Sequence, residues 1–581
     1  MHQRTFARVA PMRAKVFFYL CALIAAYLVW RLYDVQIVHG PAYARAAYEQ
    51  SSDTVDVFAR RGSILDRNGN VLVRSLPSES VYAVPHDIVD PEQTIAKLQG
   101  IFGKLDPDTI AALHDRRLWF IWIARKIPHE QAERVRAAGL LGVQLKEEDT
   151  GLRVDTAGTL ASTILGFVGT DENGLDGIEY AYDNILRGRS GSVTLEADEF
   201  GRPIPFGHES VVRPAEPGEN VELTIDSYLQ FVAERALAKQ IRAYHALDGT
   251  AIVMDPWSGD LLAVANLPDF DPNHFWKYSD AQRRDRAVMD AYEPGSTYKL
   301  VTAAAALESG KVTLRSRFPA RDTLEIDGSI IHNAEDGFMA NAGSSETLEQ
   351  IIEYSHNVGA AEVGMSIGAS TFYAMERRAG FGELSGVGLP GENPGIVPPP
   401  SQFSGTSLAT MAFGQGVSVT PLSMVRFYSA IANGGLLLQP RIVHATYDQQ
   451  GNLIRGEQPA VVTRRIFSER TATELRAFLR AVVVQGTGDP TAQIDGYTTA
   501  GKTGTAQMVV NGRYAPGVYA ASFIGMVPYQ HPRYVIYVKV ERPIGSYYGS
   551  LVAAPAFAEI ARAAMLHAGV LPSVVASKVH G

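Results

Sequence analysis

The stretch "YEPGSTYKLVTAAAALESG", Tyr292 to Gly310, sets a serine and a lysine, Ser296 and Lys299, three residues apart at the head of an alanine-rich helix. Pro294 and Gly295 make a turn ahead of it, and the run "VTAAAAL" has the composition of a helix that enters a core. Residues three apart on a helix share a face, so the hydroxyl and the amine meet within one turn. A serine hydroxyl is a weak nucleophile until a base takes its proton, and a lysine stripped of water holds its own proton poorly enough to be that base. Amides at the helix start offer a place for developing negative charge. Taken alone, S-x-x-K arises about once by chance in a chain of this size, and an ordinary capped helix reads the same.

The rest of the chain frames that pair. Its 581 residues are enough for several domains, and 46% hydrophobic with 20% charged residues is the composition of a folded protein. A net charge of -9 without a basic stripe argues against a nucleic-acid partner. "VFFYLCALIAAYLVW", Val16 to Trp30, is free of charge and follows Arg4, Arg8, Arg13 and Lys15. It reads as one membrane span, extended to Val38, with the N-terminus cytoplasmic and the bulk of the chain outside. A cleaved signal peptide is the alternative, but "RLYDVQ" stands where its small-residue cleavage site belongs. The one cysteine, Cys21, lies inside that run, so no intrachain disulfide is possible.

Further along, "RRGSILDRNGNVLV" predicts a hairpin turning at Asn68-Gly69, and Ile178 to Leu186 predicts a helix. "HEQAERV" at His129 lacks the second histidine of a zinc site, and no metal or cofactor is implied. After the polar join "RPAEPGEN" a new domain opens: a strand over Val221 to Ile225, then an amphipathic helix capped by Asp226. Strands are predicted at Thr250–Met254, Leu261–Ala265, Thr498–Val509, Tyr519–Val527 and Arg533–Val540, with the Asn511-Gly512 region and "PYQHP" as links, and a closing helix at Pro555–His567. Strands from both ends of one domain around a helical block imply an antiparallel five-stranded sheet covered by helices, an α+β fold.

Two more elements bear on chemistry. "EYSHNVGAAEVG" presents Ser355 and Asn357 on one side of a loop between helices, and "TTAGKTGTAQMVV" carries Lys502, Thr503, Gly504 and Thr505 on a strand. Gly501 and Gly504 are expected to let a ligand approach that strand closely. Ser296-Thr297-Tyr298-Lys299, Ser355-His356-Asn357 and Lys502-Thr503-Gly504 each occur once, in this order. The set resembles the signature of penicillin-binding proteins and class A β-lactamases. "RRGSILDRNGNVL", "GLDGIEYAYDNILRGRSG" and "FGQGVSVTPLSM" resemble class B penicillin-binding proteins, and "SYYGSLVAAPAFAEI", "SHNVG" and the single anchor resemble their division-specific, FtsI-type members.

That resemblance implies a cytoplasmic tail at 1–15, an anchor at 16–38 in the inner (cytoplasmic) membrane, an elongated non-catalytic pedestal of the dimerisation type at 39–220, a transpeptidase domain at 221–570 and a tail at 571–581. It implies that Ser296 attacks a stem peptide ending in D-Ala-D-Ala, with Lys299 as base and Ser355 as proton relay. Asn357 then binds the donor amide, and Lys502, Thr503 and Thr505 hold its terminal carboxylate beside Gly504. The backbone N–H groups of Ser296 and Thr505 form the oxyanion hole. The implied partners are a donor stem peptide, an amine acceptor, β-lactams, a membrane glycan polymerase of the SEDS class and divisome proteins. The alternatives are an elongation-specific transpeptidase, a D,D-carboxypeptidase or β-lactamase-like hydrolase, and a non-enzymatic penicillin-binding sensor or scaffold. "PGENPG" at Glu392 and Asn393, where a hydrolytic base would be sought, reads as a surface turn. His356 departs from the serine or aspartate common in the family and is expected to tune the site without touching substrate.

Overall fold

The structure, a computed structural model, describes residues 6–196, 209–334, 345–456, 460–488, 490–510 and 512–572. Residues 1–5 and 573–581 of the expected tails, Arg4 among them, and Asn511 of the expected link lie outside the described residues. The chain divides into two compact units, Met1–Ala59 with Gly188–Pro217, and Arg60–Arg187 with Gly218–Gly581. In the first, a helix over Phe6–Tyr33 continues as a π-helical turn over Asp34–Val38. Its apolar stretch, Met12–Val38, is long enough to cross a bilayer. A second helix, Gly40–Ser51, follows, and a three-stranded antiparallel sheet joins 52–57, 191–196 and 209–213.

The second unit holds two larger sheets. In one, Val71–Ala83 pairs antiparallel with Ile64–Leu65, Ile121–Ile127 and Val143–Asp155. The hairpin at Asn68-Gly69 forms, but its second strand runs ten residues past the expected Val73. Pro77, which has no N–H to give, sits at a register shift there. Opposite the shift Gly151 has φ +72°, and a Cβ on it would fall 2.2 Å from Leu76 O. Strand Asn220–Leu223 joins the same sheet, parallel to Ile64–Leu65 and antiparallel to Val443–Tyr447, so the sheet runs across the expected 220/221 boundary. The single helix expected over 178–186 is two short ones, Gly177–Ala181 and Asp183–Leu186, broken at Tyr182.

The other sheet carries the site. Its strands are β1 (Asp248–Met254), β2 (Leu261–Leu267), β3 (Ala500–Val510), β4 (Arg513–Val527) and β5 (Tyr534–Glu541), antiparallel in the order β2-β1-β5-β4-β3. All residues of β1 and β5 are buried, because both faces are covered. Ala251, Val253, Ile536 and Val538 pack with helices α1 (Ser227–Ala243) and α7 (Ala554–His567). Ile252, Met254, Val535 and Tyr537 point the other way, into the large helical core. That core holds α2 (Lys299–Glu308), α3 (Leu348–Glu353), α4 (Asn357–Ile367), α5 (Pro421–Ala432) and α6 (Glu469–Val484). Asp226 caps α1 through the N–H groups of Tyr228 and Leu229. Side chains alternate by strand face, so each strand contributes to both cores. At about 1.5–3 kcal/mol per buried aliphatic side chain, this sandwich can tolerate the polar groups buried at its edge.

Candidate active site

Ser296 lies in a 3-10 turn, Gly295–Tyr298, that leads into α2 at Lys299. Gly295 opens the turn at φ +56°, where a Cβ would press within 3.0 Å of Thr505 O on β3. Four contacts fix the turn: Gly295 N–H donates to Gly414 O, Thr297 Oγ1 to Pro294 O, Tyr428 Oη to Thr297 O and Tyr298 Oη to Glu376. Ser296 stays partly open on a cleft of about 550 Å³, while Lys299 is fully buried. A larger cavity of about 1070 Å³ and a smaller one of about 260 Å³, both beside Lys126 and Arg153, show no serine hydroxyl bonded to a lysine amine among the described residues; Lys126 Nζ pairs with Glu172 instead.

Around Lys299 Nζ stand Ser355 O at 2.5 Å, Asn357 Oδ1 at 2.8 Å, Ser296 Oγ at 3.0 Å and Ser355 Oγ at 3.2 Å. The first two can only accept. A neutral amine gives its two hydrogens to them and keeps its lone pair for a hydroxyl proton. Burial and the neighbouring Lys502 push the Lys299 amine well below its ordinary value, with Glu346 opposing. An ammonium with no ion pair among the described residues, in a dry site, gives up its proton sooner than bear the desolvation cost.

Ser355 forms the loop between α3 and α4 with φ +62°, a left-handed conformation that costs a non-glycine residue on the order of 1 kcal/mol. Asn357 opens α4, and its Nδ2 donates to His332 O, which turns Oδ1 toward Lys299. Lys502 on β3, also fully buried, donates to Ser355 Oγ at 2.9 Å, so that hydroxyl bridges both lysines. Burial brings the Lys502 amine down to about 7. Thr503 and Thr505 line the cleft, with Thr503 Oγ1 2.9 Å from Thr487 Oγ1 and Thr505 Oγ1 reaching Tyr547 O. β3 is an edge strand of its sheet, so an extended peptide can lie along it.

All eight residues singled out from the sequence, from Ser296 to Thr505, gather at this one place. The expected role of the two glycines is corrected. A Cβ on Gly501 would meet the Phe523 ring at 2.6 Å, and one on Gly504 would meet Ser522 Oγ at 2.3 Å and Thr297 Cγ2 at 3.0 Å. Gly501 makes room for Phe523 of β4, and Gly504 for Ser522 and the nucleophile turn, rather than for a ligand. Sequence reasoning missed Asn333, whose Oδ1 accepts from Val358 N and so caps α4, Thr487, and the buried Glu346. Thr487 stood between two glycines, a signal of close approach; the other two carried none. Glu392 accepts from Ser385 N, away from the cleft.

Residues 249–562 match the family model of the penicillin-binding protein transpeptidase domain, and residues 56–223 that of the penicillin-binding protein dimerisation domain. The chain is 34% identical to stage V sporulation protein D of Bacillus subtilis, over 96% of this chain and 86% of that one. It is 29% identical to the peptidoglycan D,D-transpeptidase FtsI of Escherichia coli, over 93% of this chain and 89% of that one. The crystal structure of penicillin-binding protein 3 from Mycobacterium tuberculosis complexed with aztreonam superposes with a TM-score of 0.68 at 30% identity, covering 90% of this chain and 98% of that one. With both domain types in this order and a lysine amine seated against the serine of S-x-x-K, the chain belongs to the class B penicillin-binding proteins.

Proposed function

We propose that this chain is a serine D,D-transpeptidase that cross-links peptidoglycan stem peptides. The observation that carries the reading is the buried Lys299 amine, 3.0 Å from Ser296 Oγ, with its other near neighbours acceptors or the bridging Ser355 hydroxyl. Lys299 takes the Ser296 proton as Oγ attacks the penultimate D-alanine carbonyl. The backbone N–H groups of Ser296 and Thr505 stabilise the oxyanion. Ser355 passes the proton from Lys299 to the departing D-alanine nitrogen, the C–N bond breaks and an ester remains on Ser296. Asn357 holds the donor's amide, and Lys502 with the Thr503 and Thr505 hydroxyls holds its terminal carboxylate. Gly504 keeps β3 close enough to the nucleophile turn for both to reach one donor. The amine of a second stem peptide then takes the acyl group. A β-lactam acylates Ser296 by ring opening, and no leaving group departs.

The likeness to the peptidoglycan D,D-transpeptidase FtsI supports a septal role. The apolar helix serves as a single membrane anchor, with Arg8, Arg13 and Lys15 keeping its start on the cytoplasmic side. Residues 39–220 then form the pedestal and 221–570 the catalytic domain outside, working with a SEDS-class polymerase and divisome proteins. The full-length chain in detergent is expected to take a covalent fluorescent-penicillin label that Ser296→Ala abolishes. Persistent labelling of that variant sinks the assignment.

A further inference from the structure

His356, the residue that departs from its family's pattern, is buried, and its Nδ1 lies 2.5 Å from Oε2 of Glu346, itself only 3% exposed. The two come from different elements. Glu346 sits on the short strand Ser345–Thr347, just before the Thr347 cap of α3, and His356 is the N-cap residue of α4. The other carboxylate oxygen rests against the first turn of α4, where a Cβ on Gly359 would come within 2.4 Å of Oε1. Gly359 is therefore the clearance for that carboxylate. The loop it holds, Tyr354 to His356, is the one that bends into the left-handed conformation at Ser355. The Tyr354 and His356 rings are stacked at the cleft wall.

We propose that Glu346 and His356 are a positioning pair that holds Ser355 and Asn357 on Lys299 and supplies the site's buried negative charge. The geometry gives the reason. Three of the four groups on Lys299 Nζ belong to Ser355 and Asn357, the two residues that flank His356. A loop with one residue in the left-handed region needs an outside tether, and the histidine between them is its buried polar hold. The titratable groups facing Glu346 are His356 on the loop, Lys299 on α2 and Glu362 on α4, the last 3.9 Å from Arg321; Lys502 on β3 also acts on Lys299. Glu346 is thus the carboxylate that opposes burial and Lys502 at Lys299, and it favours the protonated form of Lys299. In a site that must cycle a proton on and off that amine, such a charge sets the pH at which the base is free.

The inference rests on the reading of Ser296 as the acylated nucleophile, and its test separates the two. Acylation of the full-length chain by a fluorescent penicillin is followed from pH 5 to 10 for the parent, Glu346→Gln, His356→Gln and the double variant. Removing the carboxylate charge should move the ascending limb toward acid by roughly one pH unit, a shift that merely loosened packing would not give. The plateau should fall at least about tenfold, with the double variant no worse than the poorer single one, since a pair acting as one unit is not additive. A folded Glu346→Gln chain with the parent's limb and plateau, or additive losses in the double variant, overturns the proposal. If Glu346→Gln does not fold, Glu346→Asp keeps the charge with a shorter reach: a lowered plateau on an unmoved limb supports the pair, and an unaltered plateau overturns it. A parent chain that takes no label refutes the nucleophile assignment instead.

Discussion

Replacing Lys502 with methionine should make the protein more stable and less active. Lys502 is fully buried and its amine stands at about 7, against 10.5 for a free lysine. Below pH 7 folded and unfolded chains both hold the proton, and the full cost of burying the charge is present. Between 7 and 10.5 the folded chain has released it while the unfolded chain keeps it, so stability rises with pH across that window. A displacement of about 3.5 units at 1.36 kcal/mol each corresponds to roughly 5 kcal/mol at acid pH. The lost hydrogen bond to Ser355 Oγ returns about 1 kcal/mol. Methionine matches the stem in volume, which leaves a net gain of about 3–4 kcal/mol near pH 6, falling away by pH 10. Over the roughly 310 residues matched to the transpeptidase domain this is a rise in Tm of about 5 °C. Thermal melts of the full-length parent and Lys502→Met at pH 6 and pH 10 measure it. An unchanged or lowered Tm at pH 6, or an equal gain at both pH values, would refute the reasoning.

The same substitution has a kinetic signature. The Lys502 charge depresses Lys299, so its removal should raise the Lys299 value and carry the ascending limb of the acylation profile to higher pH, the direction opposite to Glu346→Gln; a limb that stays put removes Lys502 from the control of the base. Gly504→Ala drives a methyl into Ser522 Oγ and Thr297 Cγ2 and should cost about 1–3 kcal/mol, with acylation slowed as β3 shifts off the nucleophile turn. Parent-like melting and labelling would show that the contact relaxes freely.

Much of the catalytic fold was legible because its strands are bounded by turns and rich in β-branched residues: "TAIVM" and "YVIYVKV" read as strands, and the structure buries both throughout. The long strand over 71–83 was not, since Pro77 usually ends a strand and only a bulge facing Gly151 lets it stay. The break at Tyr182 left no glycine or proline to announce it. In the site, Ser296, Lys299 and the lysine of K-T-G could be found because their spacing is fixed along one turn or one strand. Glu346 could not: it precedes the Thr347–Gln350 capping box of α3, and no periodic pattern marks a carboxylate whose partner is ten residues away. The glycines of "AGKTG" were read by their freedom, when what decided them was the size of Phe523 and Ser522 across the ladder.

Ser355 Oγ stands between two amines, 3.2 Å from Lys299 and 2.9 Å from Lys502, in a space too dry for both to be charged. A charge on Lys502 therefore disfavours one on Lys299. If Lys502 holds the donor's carboxylate as proposed, that charge would favour the proton on Lys502 and help to keep Lys299 neutral next to the serine. On that reading the donor's end group would do more than anchor it, since it would add to what burial already does for the base.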